Sequence, residues 1–137
     1  MASFEQMVEA HKNILEIISD IGSNLNDIES NAASIAKSIS RLSGILKIHL
    51  GNEDRYLYPS MKKSSDAVLQ KKAGEFQDEM GNLSVEFMNF KDNYNTQSRI
   101  IKNKDIAKKE IDNMCKKIVD RMNREDNDLY PLAKKVM

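Results

Sequence analysis

Apolar residues recur along this chain every three or four positions and seldom alternate singly, which is the period of amphipathic helices rather than of strands. In the first stripe Phe4, Met7, Ile14, Ile18, Ile21, Leu25 and Ile28 follow steps of three and four, with His11 filling one step. Ser3 and Gln6 have the spacing of a capping box at its start. The second stripe runs Ile35, Ile39, Leu42, Leu46, His49, Glu53 and Leu57, with Ser30 or Asn31 as its expected cap. The third runs Leu69, Ala73, Phe76, Met80, Leu83, Phe87, Phe90 and Tyr94 after a Ser64-Ser65-Asp66 start signal. The fourth begins near Asn103 and runs Ala107, Ile111, Met114, Ile118, Arg121, Glu125, Leu129 and Leu132. These patterns predict helices over about 3–28, 31–59, 65–95 and 103–132. Pro59 and Pro131 are expected to kink or end the second and fourth, since each removes a backbone donor. Short polar connectors make neighbouring helices antiparallel, so the predicted fold is one all-α domain over 1–137, an up-down-up-down four-helix bundle.

Composition narrows the function classes. With 137 residues, 40% apolar and 31% charged, the chain suits a single domain with a real core. Lysine plus arginine and aspartate plus glutamate both total 21, which gives no electrostatic reason to expect nucleic acid or an acidic membrane. One cysteine, Cys115, excludes an intrachain disulfide and favours a reducing compartment. No segment has the apolar length of a membrane span or a signal peptide, so the expected location is the cytoplasm. Nucleophilic triads, phosphate loops and dinucleotide fingerprints are missing, so an ordinary hydrolase or transferase has no support.

The informative positions are polar residues where the stripes call for apolar ones: His11, His49, Glu53, Arg121 and Glu125. His49 with Glu53, and Arg121 with Glu125, are four apart and share a helical face. Counting from each connector at the common rise per residue places all five, together with Met80, in one layer of the bundle. Buried carboxylates left unpaired would cost several kcal/mol each (about that order), so a metal cation or Arg121 must compensate them. The chain also repeats itself: Glu53-Asp-Arg-Tyr-Leu-Tyr-Pro59 and Glu125-Asp-Asn-Asp-Leu-Tyr-Pro131 match at five of seven positions with an offset of 72. A duplicated helical hairpin accounts for this, with the second and fourth helices equivalent.

On these residues the chain resembles the haemerythrin-like family of HHE cation-binding domains: a histidine in the first helix, His49-x-x-x-Glu53 followed by Tyr-Pro, and Glu125 followed by Leu-Tyr-Pro. The resemblance implies a four-helix bundle built around a non-haem di-iron centre, and roles in oxygen binding, iron or oxygen sensing, or repair of oxidative and nitrosative damage. It implies that His11 and His49 bind one iron and that Glu53 and Glu125 are the bridging carboxylates. At the other iron this chain departs from the pattern. Met80 stands where the third helix should supply a histidine, Arg121 where the fourth should, and the chain has only two histidines.

Arg121 can place a permanent positive charge where the second cation would lie and can fork to Glu53 and Glu125. A mononuclear site of His11, His49, Glu53 and Glu125 then survives, suited to iron(II), with manganese or zinc as alternatives. The expected function is metal binding, with one iron or none, in the sensing or buffering of oxygen, iron or redox state, and with dioxygen or another small diatomic as ligand. A metal-free interaction module with Arg121 in place of the metal centre is a second reading. A small oxidoreductase acting on reactive oxygen or nitrogen species is a third. Met80 reads as core filler. Tyr56, Tyr58 and Tyr130 read either as hydrogen-bond donors around the site or as aromatic caps on the bundle, and Cys115 as a partly buried thiol.

Overall fold

A computed structural model describes residues 3–137 and is helical almost throughout. α1 spans Phe4–Asn24, α2 Ile28–Asn52, α3 Tyr58–Lys62, α4 Ala67–Tyr94, α5 Gln97–Lys102, α6 Lys104–Arg124 and α7 Tyr130–Val136. The capping box forms: the Ser3 hydroxyl accepts from the Gln6 amide at 3.2 Å and Gln6 Oε1 accepts from the Ser3 amide at 2.9 Å. α4 starts on Asp66, whose carboxylate accepts from the Leu69 amide at 2.9 Å.

The first connector lies earlier than its expected place near residues 28–31. A 3-10 turn at Leu25–Asp27 separates α1 from α2, and Asp27, rather than Ser30 or Asn31, caps α2 by accepting from the Ser30 amide. Ile28 and Ala32 are buried, so the apolar stripe passes straight through the turn and hid it. The stretch from 95 to 103, expected as a connector, holds the short helix α5, capped by Thr96 and anchored by the fully buried Ile100.

The two prolines neither stop nor sharply break their helices. π-helical turns at Glu53–Leu57 and Glu125–Leu129 carry α2 into α3 and α6 into α7. Each closes with a bond to the carbonyl five residues back, Tyr58 to Glu53 and Tyr130 to Glu125. The wider turn moves aside the carbonyl a proline ring would strike, and Pro59 and Pro131 then sit in the first turn of α3 and α7, where a missing N–H costs little. The sequence echo is therefore a structural one.

Four long arms result. His11 meets His49, while Asn31 donates to the Asn24 carbonyl, so α1 and α2 run in opposite directions. Tyr94 bonds Glu110, Lys117 pairs with Glu86 and Arg121 reaches Glu79, so α4 and α6 are antiparallel as well. Lys104 meets Glu29, so the starts of α6 and α2 lie at the same end of the bundle. The arms thus pack as a helical bundle.

The core is cut in two. One apolar cluster fills the longer part of the bundle, from Ile14 and Ile18 through Ile35, Ile39, Phe87 and Ile111 to Met122. A smaller one, including Met7, Leu57, Tyr58, Met61, Phe76, Leu129 and Tyr130, fills the end near α3 and α7. On α1, on the α2 arm and on the α6 arm the boundary between them falls on buried polar residues: His11, then His49 and Glu53, then Arg121 and Glu125. Among the described residues no helix is long and apolar enough to cross a membrane.

Candidate metal centre

Each polar side chain enters the core because its stripe position faces inward, and the π turns set the carboxylates. Glu53 and Glu125 are the first residues of the two turns and both are fully buried. His11 and His49, on facing arms, point their Nε2 atoms at each other at 2.9 Å. Nε2 of His49 also lies 2.5 Å from Oε1 of Glu53. One donor atom from each of His11, His49, Glu53 and Glu125 falls within 4.8 Å of all the others. The sequence brought these four to one layer, and the structure places them together there.

Met80 is buried in the larger apolar cluster, and the α4 residues that meet Arg121 are Glu79, which immediately precedes it, and Phe76, one turn before it.

Arg121 is buried and nearly saturated. Its Nε donates to Glu125 Oε1 at 3.1 Å, and one terminal nitrogen donates to Glu79 at 3.3 Å. The other donates to the Tyr58 hydroxyl at 2.7 Å and to the Phe76 carbonyl at 2.5 Å, while the guanidinium covers the Phe76 ring at 4.5 Å. Burial works against its charge, but Tyr58 and Glu125 outweigh burial and hold it protonated. The expected fork to both carboxylates does not form. Arg121 takes Glu125 alone and spends its remaining donors on α4 and Tyr58.

Glu125 is satisfied on both sides, because Tyr130 donates to its Oε2 at 2.7 Å. Glu53 is not. Both of its oxygens are buried without a hydrogen-bond partner of acceptable geometry, the 2.5 Å approach of His49 being misaligned for one. A buried acceptor left so costs about 1–3 kcal/mol, more when charged. Burial pushes the Glu53 carboxyl up against the opposing pull of nearby Glu125, Tyr58 and Arg121, and burial together with neighbouring Glu53 pushes that of Glu125 up to about 8. Burial drives His11 down to about 4 against the opposing pull of Glu125, and it lowers His49 too. Both imidazoles are thus neutral at physiological pH, the state in which they ligate metals.

The donor set therefore fits a cation. Two neutral imidazole nitrogens and a carboxylate with both oxygens free converge on one point, and a divalent ion there would satisfy Glu53 and relieve the repulsion that raises Glu125. The set does not fit two cations, since Arg121 brings its own positive charge to the α6 side and α4 offers no nitrogen ligand.

Sequence reasoning missed two features. Asp126 accepts from Nδ1 of His11 at 2.7 Å; its lone signal was its place beside Glu125 in the repeat. Phe76, an ordinary stripe residue, supplies Arg121 with both a carbonyl and a ring face. Tyr58 and Tyr130 are hydrogen-bonding neighbours of the site as well as parts of the smaller core cluster, whereas Tyr56 is exposed. Cys115 is buried in the larger core cluster, with its thiol pushed up to about 11 by burial.

The family model described as hemerythrin HHE cation binding domain matches residues 2–133. No curated protein and no solved structure gives a match.

Proposed function

The chain belongs to the hemerythrin HHE cation-binding family, and from that premise we propose that it holds a single transition-metal ion, preferably iron. His11, His49 and Glu53 are the principal ligands in this reading. Glu125 is a fourth donor whose oxygens are shared with Arg121 and Tyr130. The observation that carries it is the pair of orphaned Glu53 oxygens beside two facing imidazole nitrogens. A metal-free module in which Arg121 neutralises the centre is disfavoured by the same fact, because Arg121 makes no hydrogen bond to Glu53.

Two imidazoles and a carboxylate with further positions open favour iron(II), with manganese and zinc as competitors. Such an ion would supply reversible one-electron chemistry or a binding point for a small diatomic ligand. The protein's own residues would do the rest. His11 is 1% and Glu53 0% exposed, so the site excludes bulk water and any large substrate. Tyr130 supplies a hydroxyl donor at the centre, and Arg121 a fixed charge beside it. This suits sensing or buffering of oxygen, iron or redox state in a reducing compartment such as the cytoplasm.

Elemental analysis after expression in iron-, manganese- and zinc-supplemented medium tests the reading. One equivalent of metal per chain is expected, falling to background in His49→Ala. Near-zero content of all three metals in the unaltered protein would overturn it in favour of the metal-free module.

A further inference from the structure

Two consecutive acidic residues hold opposite edges of one imidazole. Glu125 approaches Nε2 of His11 at 3.9 Å, and Asp126 accepts at Nδ1 at 2.7 Å. Both acids lie at the start of the π turn that opens at Glu125, and both face His11 of α1.

The offset of 72 supplies an internal control. Asp54 is the equivalent of Asp126 in the first half of the repeat and likewise follows the first residue of a π turn. Asp54 touches no histidine. It is exposed and has a 3.5 Å contact from Gln77. The two halves thus share the turn and the acid but differ in what the acid meets.

We propose that Asp126 is a positioning residue for the metal centre. By accepting the Nδ1–H of His11, it fixes the tautomer whose Nε2 carries the lone pair and aims that lone pair at His49, Glu53 and Glu125. A neutral imidazole has one donor and one acceptor nitrogen, so an acceptor at Nδ1 decides which nitrogen is left to ligate. The same bond ties α1 to the second π turn, so the only ligand from α1 is held in place from the opposite half of the molecule. This inference rests on the metal-binding reading above and extends it to the residue behind the ligand.

Two readouts test it on the full-length protein. Chelator competition with zinc and with iron(II) should show Asp126→Ala binding about 10–100-fold more weakly than the unaltered chain. Asp126→Asn, which keeps a neutral acceptor, should fall between them, and Asp54→Asn should leave affinity unchanged. Nitrogen NMR of the metal-free protein should show His11 protonated at Nδ1, and in Asp126→Ala shifted toward protonation at Nε2. Equal zinc affinity in Asp126→Ala and the unaltered chain would overturn the proposal, as would a His11 tautomer indifferent to that substitution. If the unaltered chain binds neither metal, the metal-binding reading fails, and the tautomer measurement alone still decides whether Asp126 sets the ring.

Discussion

The two halves of the repeat carry the same frame and opposite chemistry. His49 and Arg121 occupy equivalent positions, each one turn before a glutamate that opens a π turn leading into Tyr-Pro. In the first half the glutamate is left bare, its partner being a neutral imidazole; in the second it is paired with a guanidinium and a tyrosine hydroxyl. One half is an incomplete polar site that a cation would complete. The other is already complete within the chain. A buried carboxylate can be compensated by an exchangeable ion or by a built-in charge; Glu125 has the built-in charge, and Glu53, 72 residues earlier, is the one left for an ion under the proposed function.

That contrast predicts unequal costs. Replacing Arg121 by Met removes its positive charge from a buried network and leaves Glu125 with Tyr130 as its hydrogen-bond partner, so metal-free protein should lose about 3–5 kcal/mol in urea unfolding. Replacing His49 by Met removes a neutral ring that pairs with no charge-compensating group, and should move metal-free stability by less than about 1 kcal/mol. If the two variants unfold at the same urea concentration, the halves are not energetically distinct. Arg121→His makes the second half copy the first, and should raise metal stoichiometry toward two per chain.

The glutamates should differ in sign. Glu125→Met strands Arg121 and should destabilise metal-free protein by about 3 kcal/mol. Glu53→Met removes orphaned acceptors and should be neutral or stabilising by about 1 kcal/mol, while reducing metal content to background. Thermal melts in chelator, paired with metal analysis, read both effects. A large loss of stability in Glu53→Met would mean that Glu53 has a partner in solution.

Acid–base behaviour sharpens the same point. Glu125 titrates near 8 in the fold against an ordinary 4.5, and Glu53 is raised as well, so their protonated forms favour folding. That contribution is whole below about pH 4.5 and is lost as pH rises through 8. His11 runs the other way, its contribution whole above 6.5 and lost as pH falls through about 4. Metal-free protein should therefore lose stability between pH 6.5 and 8, where the contribution of His11 is constant and Glu125 ionises. Zinc should flatten that limb by compensating the carboxylates, and so should Glu53→Met by removing one of the two. An alkaline slope insensitive to both would place its origin outside this centre.

Much of this was legible in the chain. The inward placement of His11, His49, Glu53, Arg121 and Glu125 follows from their stripe positions, since the helical period leaves them no other face. The repeat also announced that two tyrosine-proline corners would match. What could not be read was the π geometry, because an inserted residue in a turn leaves no mark in a pattern that tolerates steps of three or four. The partners of Arg121 were illegible for a related reason. Phe76 offers a backbone carbonyl, which every residue has, so no pattern of side chains could single it out. Asp126 lay off the stripe, so the helical period gave no sign that it meets His11.

The smallest predicted difference concerns the paired tyrosines. Tyr130 donates to a buried carboxyl group that also accepts from Arg121; Tyr58 accepts from an Arg121 nitrogen that also has the Phe76 carbonyl. Tyr130→Phe therefore leaves Glu125 Oε2 without a donor and, above about pH 8 where Glu125 is ionised, should cost about 1.5–3 kcal/mol, the range for a hydrogen bond to a charged group. Tyr58→Phe leaves its donor a second acceptor and should cost about 1 kcal/mol or less. Both rings are essentially buried and keep their packing in Phe, so the difference isolates the hydroxyl. A double-mutant cycle with Glu125→Gln should show coupling for Tyr130 and little for Tyr58. Equal coupling would mean that the two corners, alike in sequence, are alike in energy too.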